Sequence, residues 1–299
     1  MLTRADCAFM LLCSICAVAC GGTSGDACAL DSDCASGFCK ADGTCGPAPI
    51  DAAPQGDAPS DGTTGLCNPN HDGMITLAEL PFMAGRMGTF RVTVDATWAT
   101  AGVSSMNGSR AWDLSGQLAG DADRVMALGT PTGQWWSATY PTATYATELS
   151  IESDLRGVFH ATGAAVSMLS VVSPDGGTYK TELDYDPPAK VLALPLKAGD
   201  TWTSTSTVSG YAQGAIVAYT EKYESRVDQV GTMKTPYGEF PVLRVATDLT
   251  RTSGLATLLT KRTFSWIAEC FGPVATAASQ DFATGSEFTD NAEIRRLAP

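Results

Sequence analysis

From Met87 to the C-terminus, short runs of alternating apolar and polar residues are broken by Gly, Pro, Asp or Asn at intervals of about ten residues, a texture that predicts strands and turns rather than helices. Phe90, Val92 and Val94 alternate with Arg91, Thr93 and Asp95, so this strand should bury one face and wet the other. Similar runs predict strands at 134–140, 158–162, 166–172, 190–196, 216–227, 240–247 and 262–268. Thr235-Pro236-Tyr237-Gly238 separates two alternating runs, 221–230 and 240–245, and Pro followed two residues on by Gly is turn chemistry, so these runs should form a hairpin. No repeat of fixed period is present, which argues against a propeller. The expectation is an all-β fold, a single antiparallel sandwich or partly open barrel over residues 86–299.

The first 85 residues read differently. A polar start containing Arg4 leads into an apolar run from Cys7 to Ala19, too short to span a bilayer and of the length of a signal peptide. Its end, Ala17-Val18-Ala19-Cys20, resembles a bacterial lipobox, with Ala17 where that motif usually has Leu. Cleavage before Cys20 leaves seven cysteines, and lipidating Cys20 leaves an even six. Residues 1–19 are therefore expected to be a lipoprotein signal peptide and Cys20 the acylated N-terminus, with plain secretion as the alternative.

Cys28, Cys34, Cys39 and Cys45 follow among Gly, Asp and Ser, with too little apolar material for a core, so two local disulfides should hold residues 20–46 together. A zinc site competes, but its ligands usually come as closely spaced pairs. The block is similar to short Dickkopf-like cysteine-rich repeats found after the lipobox in lipoproteins of myxobacteria. Residues 47–66 are rich in Pro and Asp and poor in large apolar side chains, as expected of a disordered linker. Cys67 and Cys270 remain once the knot is paired and are expected to bond to each other, the alternative being two buried thiols.

Residues 67–85 contain Asn68-Pro69-Asn70-His71-Asp72-Gly73-Met74-Ile75-Thr76-Leu77-Ala78-Glu79, which resembles EF-hand and dockerin-type calcium loops. The resemblance implies that oxygens of Asn68, Asn70, Asp72, Met74, Thr76 and Glu79 hold Ca2+, with Gly73 at the sharp turn and Ile75 packed inward. Asn68 replaces the usual Asp, and only Asp72 and Glu79 carry charge, so binding should be weak. The alternative is a turn of the same pattern without metal.

Charge narrows the partners. The chain has 32 acidic and 19 basic residues, a net −13, which disfavours nucleic acid. Over half of that charge lies between Asp26 and Asp72, suited to an extended spacer that holds the β domain off a membrane. The sequence has two histidines, His71 and His160, and lacks the serine-hydrolase elbow, the zinc-protease helix motif, the phosphate-binding loop and the dinucleotide fingerprint, so no catalytic residue is assigned. Glu182, Asp184 and Asp186 share one strand face before Pro187-Pro188 and are expected to be solvated charges of an edge strand rather than a glycosidase dyad. Of Trp135 and Trp136, one should face outward.

Gly199-Asp200-Thr201-Trp202, the segment from Thr235 to Phe240, and Arg244-Val245 resemble phrases of β-rich lipoproteins from myxobacteria and allied soil bacteria, a likeness over Cys67 to Pro299 that implies no activity. The expectation is a non-enzymatic lipoprotein of the bacterial cell envelope, at the outer membrane or surface, whose calcium-braced β domain binds an envelope or extracellular ligand or serves structure. A carrier with an apolar β cavity is the second expectation, and a carbohydrate-binding module the third. An unfilled apolar cavity would favour the carrier, and an exposed coplanar Trp or Tyr pair the sugar binder.

Overall fold

The computed structural model describes residues 67–104 and 108–299. The expected signal peptide, Cys20 and the four-cysteine block Cys28, Cys34, Cys39 and Cys45 lie outside these residues, as does the linker. Sixteen strands follow in the described chain: β1 (Met74–Ile75), β2 (Met87–Thr97), β3 (Val103–Ser104), β4 (Arg110–Asp113), β5 (Ala122–Ala127), β6 (Tyr145–Ser150), β7 (Ser153–Thr162), β8 (Ala165–Val172), β9 (Glu182–Ala193), β10 (Leu196–Lys197), β11 (Thr201–Ala212), β12 (Ala215–Lys234), β13 (Glu239–Ser253), β14 (Ala256–Ala268), β15 (Gly272–Ser279) and β16 (Asp290–Leu297). One 3₁₀ turn, Leu77–Glu79, is the helical element among the described residues.

The long strands form one antiparallel path, β5-β2-β16-β15-β14-β13-β12-β11-β9-β8-β7-β6. From β6 to β16 it is mostly an up-and-down meander, and the first long strand, β2, then pairs with the last. Just past β5, Gly129 bridges Ala146 of β6 through two backbone hydrogen bonds of 2.7 and 3.0 Å, which nearly closes the sheet into a barrel. Closure matters because it pairs the edges that would otherwise invite aggregation. The predicted all-β class therefore holds, on the barrel side of the two expected forms.

Alternation sorts the core into an inner face and covered parts of the outer face. Leu183 and Tyr185 of β9, Val208 of β11, Val227 of β12, and Leu243 and Val245 of β13 pack with Ile75 and Leu80 on the inner face. On the outside, Trp112 and Leu114 cover Phe264, Trp266 and Ala246. Trp112 meets Trp266 edge-on at 5.6 Å between ring centroids. β4 reaches this place by pairing in parallel with β12, and Gly231 makes that approach possible, since a Cβ there would lie 1.9 Å from the Arg110 carbonyl oxygen.

Three strand-level expectations are corrected. Residues 134–140 are a succession of turns, with Ser137 N–H donating to the Gln134 carbonyl and Thr139 N–H to that of Trp136. They plug the outer face of β6 to β8, where Trp136 and Tyr140 are buried with Val158 and Val172. Alternating apolar residues thus serve a compact plug, because two large rings can bury without a ladder. Trp135 does not face out either: it is half-buried, donates to the Ser173 carbonyl at 3.1 Å and lies under the Lys180 ammonium. Finally, β9 is no edge strand, since β8 and β11 flank it. Asp184 and Asp186 are exposed on its outer face, where burial and then the neighbouring carboxylates Asp186 and Glu182 push Asp184 above the ordinary carboxylate range. The 235–238 hairpin turn forms as expected, with Thr235 and Gly238 exchanging backbone hydrogen bonds.

Candidate functional site

The segment 67–86 packs at one end of the barrel, and the disulfide fastens it there. Cys67 and Cys270 are bonded, with Cα atoms 5.4 Å apart. The Cys270 N–H donates to the Glu79 carbonyl at 2.7 Å, β1 pairs with β10 and the Gly85 N–H donates to the Leu128 carbonyl at 2.8 Å, so the segment is tied to the barrel along its length.

Within the segment the calcium-like loop is a hydrogen-bonded turn. His71 and Gly73 take positive φ, 54° and 82°. Asn70 Oδ1 accepts from Asp72 N–H at 3.0 Å, and Asp72 Oδ1 from Met74 N–H at 2.8 Å. Ile75 is buried, as expected. Glu79 turns onto Thr76, its Oε2 taking the backbone N–H at 2.8 Å and the hydroxyl at 2.9 Å. Both bonds run into Glu79 and hold the start of the 3₁₀ turn. The exposed oxygens of Asn68, Asn70 and Asp72 have the chemistry a hard cation takes, while one oxygen of Glu79 already serves the cap. Among the described residues no three His, Cys, Asp or Glu side chains gather into a metal group.

The barrel mouth beside this segment holds a recess of about 430 Å³, within the range of about 300–1,000 Å³ usual for small-molecule pockets. Its walls are Phe90 of β2, Met126 of β5, Tyr145 of β6, Phe159 of β7 and Leu297 of β16, with Phe82 and Phe271 at the rim. Register explains why they converge. Phe90 pairs with Leu297, Gly88 with Met126 and Tyr145 with Phe159, so each presents its side chain to the inner face. Phe82, Tyr145 and Phe159 stack in series at 6.0 and 5.1 Å. Burial pushes the Tyr145 phenol well above its ordinary pKa, which keeps this wall uncharged.

Elsewhere on the inner face, Glu221 and its neighbours form a paired polar group, while the buried Ser206 hydroxyl has no partner. Buried Glu221 accepts from Arg251 Nε at 2.8 Å and from the Tyr223 hydroxyl at 2.5 Å, and Arg251 lies over the Tyr219 ring. A second hollow of about 450 Å³ opens beside the loop, between His71, Glu239, Phe240 and Glu269. His71 N–H donates to Glu269 there at 3.1 Å. None of the six tryptophans is exposed: Trp112, Trp136 and Trp266 are buried, and Trp98, Trp135 and Trp202 half-buried. Of the tyrosines, Tyr179, Tyr211 and Tyr237 are exposed.

The recess residues escaped sequence reading because alternation shows which residues share a face but not where that face is left unfilled. Phe90 was legible as inward-facing. Met126 and Phe82 carried no signal, because one lies in a short mixed strand and the other in a loop placed by the disulfide.

No family model and no curated protein matches the chain. Among solved structures it is similar to a presumptive exported protein with a YmcC-like fold from Bacteroides fragilis NCTC 9343, at 13% identity and a TM-score of 0.31 over 72% of this chain and 96% of that one. It is also similar to a presumptive lipoprotein from Parabacteroides distasonis ATCC 8503, at 11% identity and a TM-score of 0.30 over the same shares. At this similarity no activity or ligand carries over, and what the chain does must be argued from its own residues.

Proposed function

We propose that the chain is an exported cell-envelope lipoprotein, anchored through Cys20, whose barrel binds an apolar ligand in the recess at its mouth without catalysis. The observation that supports this reading is the recess itself, an aromatic and aliphatic hollow open to solvent at the mouth of the barrel. An apolar molecule there would remove both its own surface and the walls from water, at about 25 cal/mol per Å². That outcome moves the carrier ahead of the structural and sugar-binding readings. Nile red, a neutral dye that brightens in apolar surroundings, should bind the full chain, and Met126→Trp, which fills the recess, should weaken it at least tenfold. Equal dye binding by both proteins would place the apolar site elsewhere.

Calcium enters this proposal as a brace on the segment that supports Phe82. At calcium ten times above its dissociation constant, mass action should add about 1.4 kcal/mol, or about 3–6 °C in melting temperature. Asp72→Asn is the discriminating variant, because it keeps the oxygen that accepts from Met74 N–H and removes the charge. Glu79→Gln would also disturb the cap. A wild type that melts alike in millimolar calcium and in chelator, or a variant that responds as wild type does, leaves the loop as a turn alone.

A further inference from the structure

We infer that the ligand of the recess is an anionic amphiphile, an acyl chain ending in a carboxylate or phosphate, and that Arg86 selects its head; this rests on the apolar-ligand reading above. The chain carries 32 acidic against 19 basic residues, yet the recess is lined by Arg86 and Arg295 and by no Asp or Glu. The two arginines differ in availability. Arg295 donates through Nε to Glu293 and through Nη2 to the Leu149 carbonyl, so its charge is already answered. Arg86 is exposed, and no ion pair or hydrogen bond holds its guanidinium among the described residues. Its backbone is nevertheless fixed, because its carbonyl accepts from Leu128 N–H at 2.8 Å and continues the β2–β5 ladder.

An unpaired cation on a fixed backbone therefore stands at the edge of an apolar hollow, flanked by Met83 and Met87, which are 55% and 71% exposed. An anionic head would meet a planar donor fork able to take two oxygens at once. The tail would lie along Phe90, Tyr145 and Phe159. The neighbouring hollow differs: it carries Glu269 and a Glu239 paired with Lys234, and no Lys or Arg lines it to receive the same head. Shape alone would let both hollows take apolar matter, whereas charge lets only the recess take an anion.

The test compares oleate, oleyl alcohol and oleoyl lysophosphatidate, which share a tail, as competitors of Nile red on the full chain at pH 8 and below their aggregation concentrations. Wild type should bind at least one of the anions about tenfold more tightly than the alcohol, the size expected of hydrogen bonds to a charged group. Whichever anion leads identifies the head as carboxylate or phosphate. Arg86→Gln should bring the anions down to the level of the alcohol, and Arg86→Lys should keep part of the preference. Lys222→Gln removes an exposed cation on β12, outside the recess, and should change none of the three. Equal affinities in wild type, or a preference that survives Arg86→Gln, overturn the selection of an anion and leave the apolar-ligand reading standing. Failure of all three competitors and of the dye brings down both.

Discussion

Replacing Arg244 with alanine should cost about 3–5 kcal/mol, the usual penalty for removing one partner of a buried ion pair, and lower the melting temperature by about 10 °C. The Arg244 side chain is 2% exposed and binds two carboxylates, with Nη2 at 2.8 Å from Asp228 and 2.7 Å from Glu287. Nη1 also donates to the Thr100 carbonyl at 2.9 Å, and the guanidinium lies 4.1 Å from the Phe264 ring centroid. Burial pulls the arginine's pKa down, but the hydrogen bonds it donates to Asp228 and Glu287 more than reverse it, so the group stays charged. Alanine would strand Asp228 and Glu287 and open a void beside Trp112. Lysine should rescue only part, because it has the charge without the fork. Urea and thermal denaturation of the three proteins measure this, and a midpoint within 2 °C of wild type for Arg244→Ala would show that the network adds nothing to stability.

Removal of the Cys67–Cys270 disulfide, by serine at both positions, should cost about 2–5 kcal/mol. The two cysteines are 203 residues apart, a long loop for which chain entropy predicts a gain near the top of that range and experiment often finds less. A local effect should accompany the global one. Without the bond, residues 67–82 are held by the β1–β10 pairing and the Cys270 N–H to Glu79 bond, so amide exchange should rise there before it rises in β11 to β14. Phe82 should then support the recess less well, and Nile red affinity should fall. Unchanged melting with unchanged exchange in 67–82 would mean that the segment docks without its covalent tie.

The Asp228 contact shows where pattern reading runs out. β12 and β13 alternate cleanly enough to predict their hairpin, but the pairing shifts register between Val227 and Gln229. That bulge makes Asp228 an extra residue and turns it to the outer face, onto Arg244. One residue in a long strand leaves no mark in the hydrophobic pattern. The plug at 134–140 is the reverse case, in which the pattern was present and the ladder was not. Alternation records only that two faces differ in polarity, and a coil of turns against β6 to β8 satisfies that as well as a strand does.

By itself the sequence determined the all-β class, the hairpin at 235–238, the inward side of Phe90 and Ile75 and, through cysteine parity, the bond between Cys67 and Cys270. The inward side of Ile75 came from the likeness to calcium loops, and the others follow from local chemistry: strand period, turn residues or the redox state of an exported chain. The expectations for Cys20 and for Ca2+ also came from the sequence and await their experiments. Tertiary structure alone decided that β9 is interior, that Gly129 meets Ala146 to nearly close the barrel, and that Phe90, Met126, Tyr145, Phe159 and Leu297 surround a recess with Arg86 at its edge. These depend on residues far apart in the chain meeting across a closed sheet, and on space that no side chain fills. A sequence specifies the side chains that pack, but an unfilled volume is fixed only by where all of them end.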